Sequence, residues 1–292
     1  PGNEPYLMSN TITAFSVFDT GTGMVDSYYF DTTKPDSEVV HFDSFPMQKG
    51  AEKELEENGA LKHLGSYSTG YSDQDGGVAE IVAYNEDNKK AYLVNGKEKT
   101  VDILSLNGLA ADGQNQEMAL EKRVDVSKLI PDFDFGDLTS VAVDTVNDRI
   151  AVAVQAKDYA APGAILLLNY DGEYVAHYTA GVQPDMITFS ADGRYVLTAD
   201  EGEPREGYGQ DTEDPKGSVT VVDLSADQPE PKTVTFDDWD ERREELVENN
   251  VLLKTGRMPS VDFEPEYLAV SDDGKTAYVT LQEANAIAVL DM

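Results

Sequence analysis

Ile187-Thr188-Phe189-Ser190-Ala191-Asp192-Gly193-Arg194-Tyr195-Val196-Leu197-Thr198 reads as two short strands joined by a tight turn. β-Branched and aromatic residues fill the flanks, as a pleated, half-buried surface prefers. Asp192-Gly193 supplies the left-handed backbone angles that a tight hairpin turn needs. A third apolar run, Val219 to Val222, follows after a longer connection.

The same pattern occurs four times, over Glu80 to Leu106, Thr139 to Asn169, Asp185 to Leu224 and Glu266 to Leu290. Asn88, Asn147, Gly193 and Gly274 serve as the turn residue of each repeat. Eight places before them stand Glu80, Thr139, Asp185 and Glu266, each opening the first strand. Three or four antiparallel strands per repeat of roughly 40–50 residues is the sequence form of a β-propeller blade. A β-sandwich also has many short strands, but it does not repeat one turn and one acid register from unit to unit. The fold expected is therefore all-β, a β-propeller of the YVTN or WD40-like kind, with this chain supplying about the first four or five blades.

The steps between turn residues are 59, 46 and 81 residues, so two connections carry extra chain. Asp237 to Asn250 reads as an inserted helix with Leu246 and Val247 on one face, and Glu117 to Asp137 as a second insertion. Residues 1–63 are less regular. They offer strands at Ile12 to Phe18, Ser27 to Phe30 and Val39 to Phe42, and a short helix at Ala51 to Leu64. One domain is expected over 1–292, with the blades from 64 onward. The remaining blades are expected from a longer gene product, of which this chain would be a fragment or a processed piece, or from a second chain.

Lys and Arg total 22 against 56 Asp and Glu, a formal charge of −34. Such a field repels nucleic acid and anionic membrane and attracts cations. There is no Cys, hence neither a disulfide framework nor thiolate chemistry. No apolar run reaches the length of a membrane span, so no membrane insertion is expected of this segment. The three His residues, His41, His63 and His177, fall outside the repeat register, and neither a Gly-x-Ser-x-Gly elbow nor a P-loop occurs. Trp239, on the insertion, and Tyr92, Tyr195 and Tyr278, in the second strands, are read as packing residues.

The acids carry the candidate chemistry. The inner strand of each blade lines a propeller's channel, so an acid opening that strand in several blades points several carboxylates at one region. Glu80, Asp185 and Glu266 form that register. Asp200-Glu201-Gly202-Glu203-Pro204 follows the second strand of its blade, and Gln282-Glu283 stands at the matching place in the last one. Calcium takes six to eight hard oxygen ligands, which Glu80, Asp185, Glu201, Glu203, Glu266 and Glu283 can offer. The competing reading makes the same acids hydrogen-bond acceptors that tie blade to blade. A second candidate is Ser72-Asp73-Gln74-Asp75-Gly76-Gly77, where Asp73 and Asp75 resemble the opening of a calcium loop without its later ligands. The loop from Glu203 to Lys216, with Asp211 and Asp214, is read as an inter-strand excursion.

Ala79 to Tyr84, Ala199 to Arg205, Gly217-Ser218-Val219, Phe263 to Ser271 and Ala277 to Ala286 together resemble the choice-of-anchor I family. The match runs from about Leu64 onward. That family is similar to the mesenchyme-specific cell-surface glycoproteins of biomineralising animals. The resemblance implies a seven-bladed propeller, an extracellular or cell-surface setting and calcium association. Some relatives carry the label alkaline phosphatase. Two functions are thus expected of the chain. One is a calcium-binding, non-catalytic scaffold that presents a surface to a matrix or surface protein. The other is a calcium-dependent phosphomonoesterase, for which Arg205 is the cation nearest the acidic motif.

Overall fold

The computed structural model describes the strands within 12–46 by their backbone, and residues 64–72, 78–109, 116–207 and 213–292 in full. The chain divides into two compact units, 1–63 and 64–292. In the first, β1 (Ile12–Asp19), β2 (Met24–Asp31) and β3 (Val40–Pro46) form an antiparallel sheet in that order. The helix expected over Ala51 to Leu64 falls almost wholly outside the described residues.

The second unit is built from consecutive antiparallel sheets. A short parallel pair, β4 (Gly65–Ser66) with β8 (Gln116–Glu117), stands apart from them. The first blade comprises β5 (Ala79–Asn85), β6 (Lys90–Asn95), β7 (Thr100–Ser105) and β9 (Ala119–Asp125). The second comprises β10 (Phe135–Asp144), β11 (Arg149–Ala156), β12 (Pro162–Asn169) and β13 (Tyr174–Val182). The third comprises β14 (Pro184–Phe189), β15 (Tyr195–Asp200), β16 (Ser218–Asp223) and β17 (Pro231–Thr235). The last has β18 (Pro265–Val270), β19 (Thr276–Leu281) and β20 (Ala286–Asp291). Glu117 to Asp137 is therefore largely no insertion. Its alternating Ala119-Leu120-Glu121-Lys122-Arg123-Val124-Asp125 forms the fourth strand of the first blade.

Strand alternation explains how the blades stack. Along β11, Ile150, Val152 and Val154 join the core shared with the first blade, while Ala151 and Ala153 join the core shared with the third. A strand buried on both faces must be apolar throughout, and Ile-Ala-Val-Ala-Val meets that demand. β15 and β16 do the same one blade on, with Val196 and Val222 facing back and Leu197, Ala199 and Val219 facing forward. Two glycines set the spacing. A Cβ on Gly163 would lie 2.4 Å from Pro184 of the next blade, and one on Gly217 2.0 Å from the Phe263 carbonyl, ahead of Pro265.

The turns keep the predicted composition but divide the labour differently. Gly193 and Gly274 are left-handed, at φ 68 in each. In the first two blades that conformation falls one residue later, on Lys89 and Asp148, while Asn88 and Asp144 accept backbone hydrogen bonds of 3.0 and 2.9 Å. The glycine turns have such acceptors too, Asp192 and Asp273 taking the Arg194 and Lys275 N–H at 3.0 and 3.2 Å, so a side-chain acceptor is common to all four turns.

The helical insertion is broken. Asp237–Arg242 is a 3₁₀ helix and Arg243–Glu248 a short α-helix, and neither contains a fully buried residue. Leu246 packs on Phe236, Phe263 and Leu281, whereas Val247 is exposed. Trp239 is exposed beneath the Arg242 guanidinium, 4.2 Å from it, instead of anchoring a core. Of the three second-strand tyrosines only Tyr92 is a core residue, and Tyr278 is exposed.

Candidate functional site: an acidic cluster on β-bulges

The residue eight places before each turn is a bulge. Asp185 has no partner between the pairs Pro184↔Asp200 and Met186↔Ala199. Thr139 sits likewise between Leu138↔Val154 and Ser140↔Ala153, and Glu266 between Pro265↔Leu281 and Tyr267↔Thr280. In the first blade the extra residue lies in Glu80-Ile81, between Ala79↔Asn95 and Val82↔Leu93. A bulge kinks its strand and re-aims one side chain out of the alternation. The recurring register is therefore a recurring irregularity, and it turns the same position in each blade away from the ladder.

The bulges share a neighbourhood. Thr139 Oγ1 donates a 2.7 Å hydrogen bond to the Pro184 carbonyl, beside the bulge of the next blade. Asp185 lies within electrostatic reach of Glu80 and Glu203, and Glu266 within reach of Asp185, Glu203 and Glu283. Glu201 adds its carboxyl to the same region. Burial first, then Asp185 and Glu203, push its carboxyl up to about 8, with Arg205 pulling the other way. Burial also raises Asp185, and burial with the neighbouring acids raises Glu266. Glu266 Oε2 is buried and accepts no hydrogen bond among the described residues.

Backbone bonds fix the acidic loop after β15. Glu201 N donates to the Gln183 carbonyl at 3.0 Å and Gly202 N to that of Val182 at 3.2 Å. Gln183 is buried and left-handed, at φ 53. Its Nε2 donates to the carbonyls of Tyr159, 3.0 Å, and Glu203, 2.6 Å, while its Oε1 accepts from Arg205 Nε at 3.0 Å. Arg205 reaches Glu203 at 3.3 Å and Glu201 at 3.6 Å, and its side chain is 47% exposed. Below the loop lies Asp200, wholly enclosed. It accepts from Thr198 at 2.7 Å, Thr220 at 2.7 Å and Ser218 at 3.0 Å, and burial raises it to about 6.

Glu80, Asp185, Glu201, Glu203 and Glu266 are thus coupled, with Glu283 joining through Glu266 and Glu264. Glu80 and Glu283 are exposed. Among the described residues no three acids stand close enough together to hold a metal ion as they are placed. Asp73, Asp75 and Asp211 lie outside the described residues. Asp214 belongs elsewhere, paired with Arg257 at 2.5 Å.

Three polar assemblies were missed by sequence reasoning. Gln183 carried no signal beyond a polar residue between two strands. Asp102, fully buried in β7, receives Arg123 at 2.6 and 2.7 Å and the Tyr67 hydroxyl at 2.6 Å. An Asp inside the apolar run Val101-Asp102-Ile103-Leu104 was the available sign, since a buried charge demands a partner. Lys254 joins Glu264 at 3.1 Å and Asp262 at 3.4 Å beneath the insertion.

Comparison with known proteins adds the family. No curated protein matches the chain. Among solved structures it is similar to hydrazine synthase of Kuenenia stuttgartiensis, with 12% identity, TM-score 0.48, and coverage of 95% of this chain and 64% of that one. It is also similar to the β-propeller domain of Myceliophteria thermophila Cps50 (Swd1), at 10% identity, TM-score 0.45, and coverage of 74% and 52%. A protein from Lactobacillus plantarum aligns at 14% identity, TM-score 0.46, covering 96% and 64%. The chain spans less than two thirds of the length of each. The profile of the choice-of-anchor I domain matches residues 80–292, from the first bulge acid through the last blade, and the chain belongs to that family.

Proposed function

We propose that this chain is a calcium-binding β-propeller scaffold of the cell surface or extracellular space, without catalytic activity of its own. The observation that carries the reading is the repeated bulge, which directs Glu80, Asp185 and Glu266 toward the loop bearing Glu201 and Glu203. Crowded carboxylates repel one another unless protonated or bridged by a cation. The buried, unpartnered Glu266 Oε2 and the hard oxygen donor set fit calcium. Asp185, Glu201, Glu203 and Glu266 would hold the ion, with Glu80 and Glu283 at its margin, after a rearrangement that draws their carboxylates together. The ion would cancel their repulsion and rigidify the joint between blades. A surface setting accords with the family's name, the choice-of-anchor I domain. Its partner there is proposed to be a matrix or surface protein.

The thrifty test is calorimetric titration of chelator-stripped protein with Ca²⁺. Binding should weaken at least about tenfold in Glu266→Gln and Asp185→Asn, since each removes one charged ligand. Unchanged binding in both variants would leave only the inter-blade tie that Thr139 exemplifies. The phosphomonoesterase alternative needs a cation free to hold phosphate. Arg205, the cation nearest the motif, is engaged by Gln183, Glu201 and Glu203, which favours the scaffold.

A further inference from the structure

We propose that the outer edge of β20 is a docking site for a partner's polypeptide, which adds to it as an antiparallel strand and fills the cleft between the last two blades. The inference rests on the scaffold reading for the partner being a protein, and not on calcium. Three blades carry a fourth strand. β9 lies along β7, β13 along β12 and β17 along β16, antiparallel in each case. β20 is the third strand of the last blade and stands at the edge of its sheet. An edge strand offers a row of backbone N–H and C=O groups to another strand. Beside it runs a largely apolar cleft of about 850 Å³, lined by residues 286–292 and, on the side of the third blade, by Val221, Lys232 and Val234.

The joint between the first two blades shows what fits such a place. Pairing sets Lys122 opposite Ile103 and Val124 opposite Val101. In the third blade Lys232 stands opposite Val221 and Val234 opposite Val219, so the two pairs occupy matching positions. Val124 is 7% exposed and packs under the turn between β12 and β13, where a Cβ on Gly172 would lie 2.5 Å from it. Lys122 Nζ donates to the Asp171 carbonyl of that turn at 2.6 Å. The strand that follows the turn, β13, buries Ala180 in the core shared with the third blade. Val234, by contrast, is 41% exposed, and every residue of β17 is exposed. The counterpart thus defines the occupant. It is a turn with a glycine over Val234 and a carbonyl for Lys232, followed by an extended strand with small or apolar residues at alternate places. Such a segment gains main-chain hydrogen bonds along β20 and places alternate side chains in the cleft, which is how strand addition joins affinity to specificity.

Fluorescence anisotropy of a labelled peptide copying residues 169–182, the turn and strand of the second blade, titrated with the full chain, tests this. The peptide should bind and a scrambled one should not. Val234→Glu, which puts a charge into the apolar cleft, should weaken binding at least about tenfold. Val146→Glu, at an exposed valine in the turn between β10 and β11, should leave it unchanged. Two further peptides carry N-methyl groups on alternate amides, one along each edge of the strand. The peptide methylated on the edge facing β20 should lose binding and the other should keep it, because a strand added at the margin of a sheet pairs through one edge. No binding, equal loss in Val146→Glu, or equal binding by both methylated peptides would each overturn the inference and leave the scaffold reading to its calcium titration. Self-association of the chain that Val234→Glu abolishes would assign the cleft to a second copy and overturn it as well. A failed calcium titration alongside a bound peptide would sink the cation reading alone.

Discussion

Arg123 and Arg205 both serve carboxylates near a blade surface, yet they do opposite work. Arg123 grips Asp102 with two bonds of 2.6 and 2.7 Å and adds the Tyr67 hydroxyl and the Thr69 carbonyl. Asp102 is 0% exposed, so its charge has no solvent to fall back on. That assembly pins 64–72 to the first blade, with Tyr71 stacked 5.1 Å from the guanidinium. The Tyr67 hydroxyl is raised to about 12 by burial and by bonding to Asp102, so it stays protonated as a donor. Arg205 instead faces several acids with looser contacts and leaves one buried oxygen unbonded.

The sharpest way to break this contrast is Arg123→Ala. It strands Asp102 as a buried, uncompensated charge and should cost about 3–5 kcal/mol in urea denaturation. A loss below about 1 kcal/mol would show that the pair is no stronger than a surface one. Next comes pH. Glu201 normally titrates at 4.5 and here at about 8, so the folded chain holds that proton more tightly than the unfolded one. Its contribution to stability is therefore full below about pH 4.5 and is lost as pH rises toward 8. Melting temperature in the presence of chelator should fall across that window, Glu201→Gln should flatten the fall, and an equally steep fall in the variant would remove Glu201 as the cause. Thr139→Val, which deletes the 2.7 Å bond to the Pro184 carbonyl, should cost about 1 kcal/mol, read from the shift in urea midpoint. Smallest of all, Arg205→Ala without calcium should change stability by no more than about 0.5 kcal/mol, since its pairs are half exposed. A larger loss would mean that Arg205 is as structural as Arg123.

Much of this was legible in the chain. The short apolar runs between turn residues marked the strands, since residues such as Ile150 to Val154 are apolar throughout because both of their faces are buried. The acid register was visible as spacing, but its cause was not, because a bulge is a property of pairing between strands and leaves no local residue signature. The Glu117 to Asp137 stretch misled because an outer strand is mostly solvated and reads as polar connection. Asp237 to Asn250 looked like one helix, but the 3₁₀ turn at Asp237–Arg242 divides it. Gln183 and the Asp102–Arg123 pair rest on partners about 20 residues away or more, which no short pattern encodes.

The unpaired residue in each inner strand has a further implication. Because it takes no part in the ladder, its identity is released from the demands of strand pairing, and Thr139, Asp185 and Glu266 occupy it here, with Glu80-Ile81 in the first blade. Each blade thereby offers one interchangeable socket on a fixed frame. Chemistry could be rewritten there one substitution at a time, while deletion of the residue itself would straighten the strand and abolish the socket.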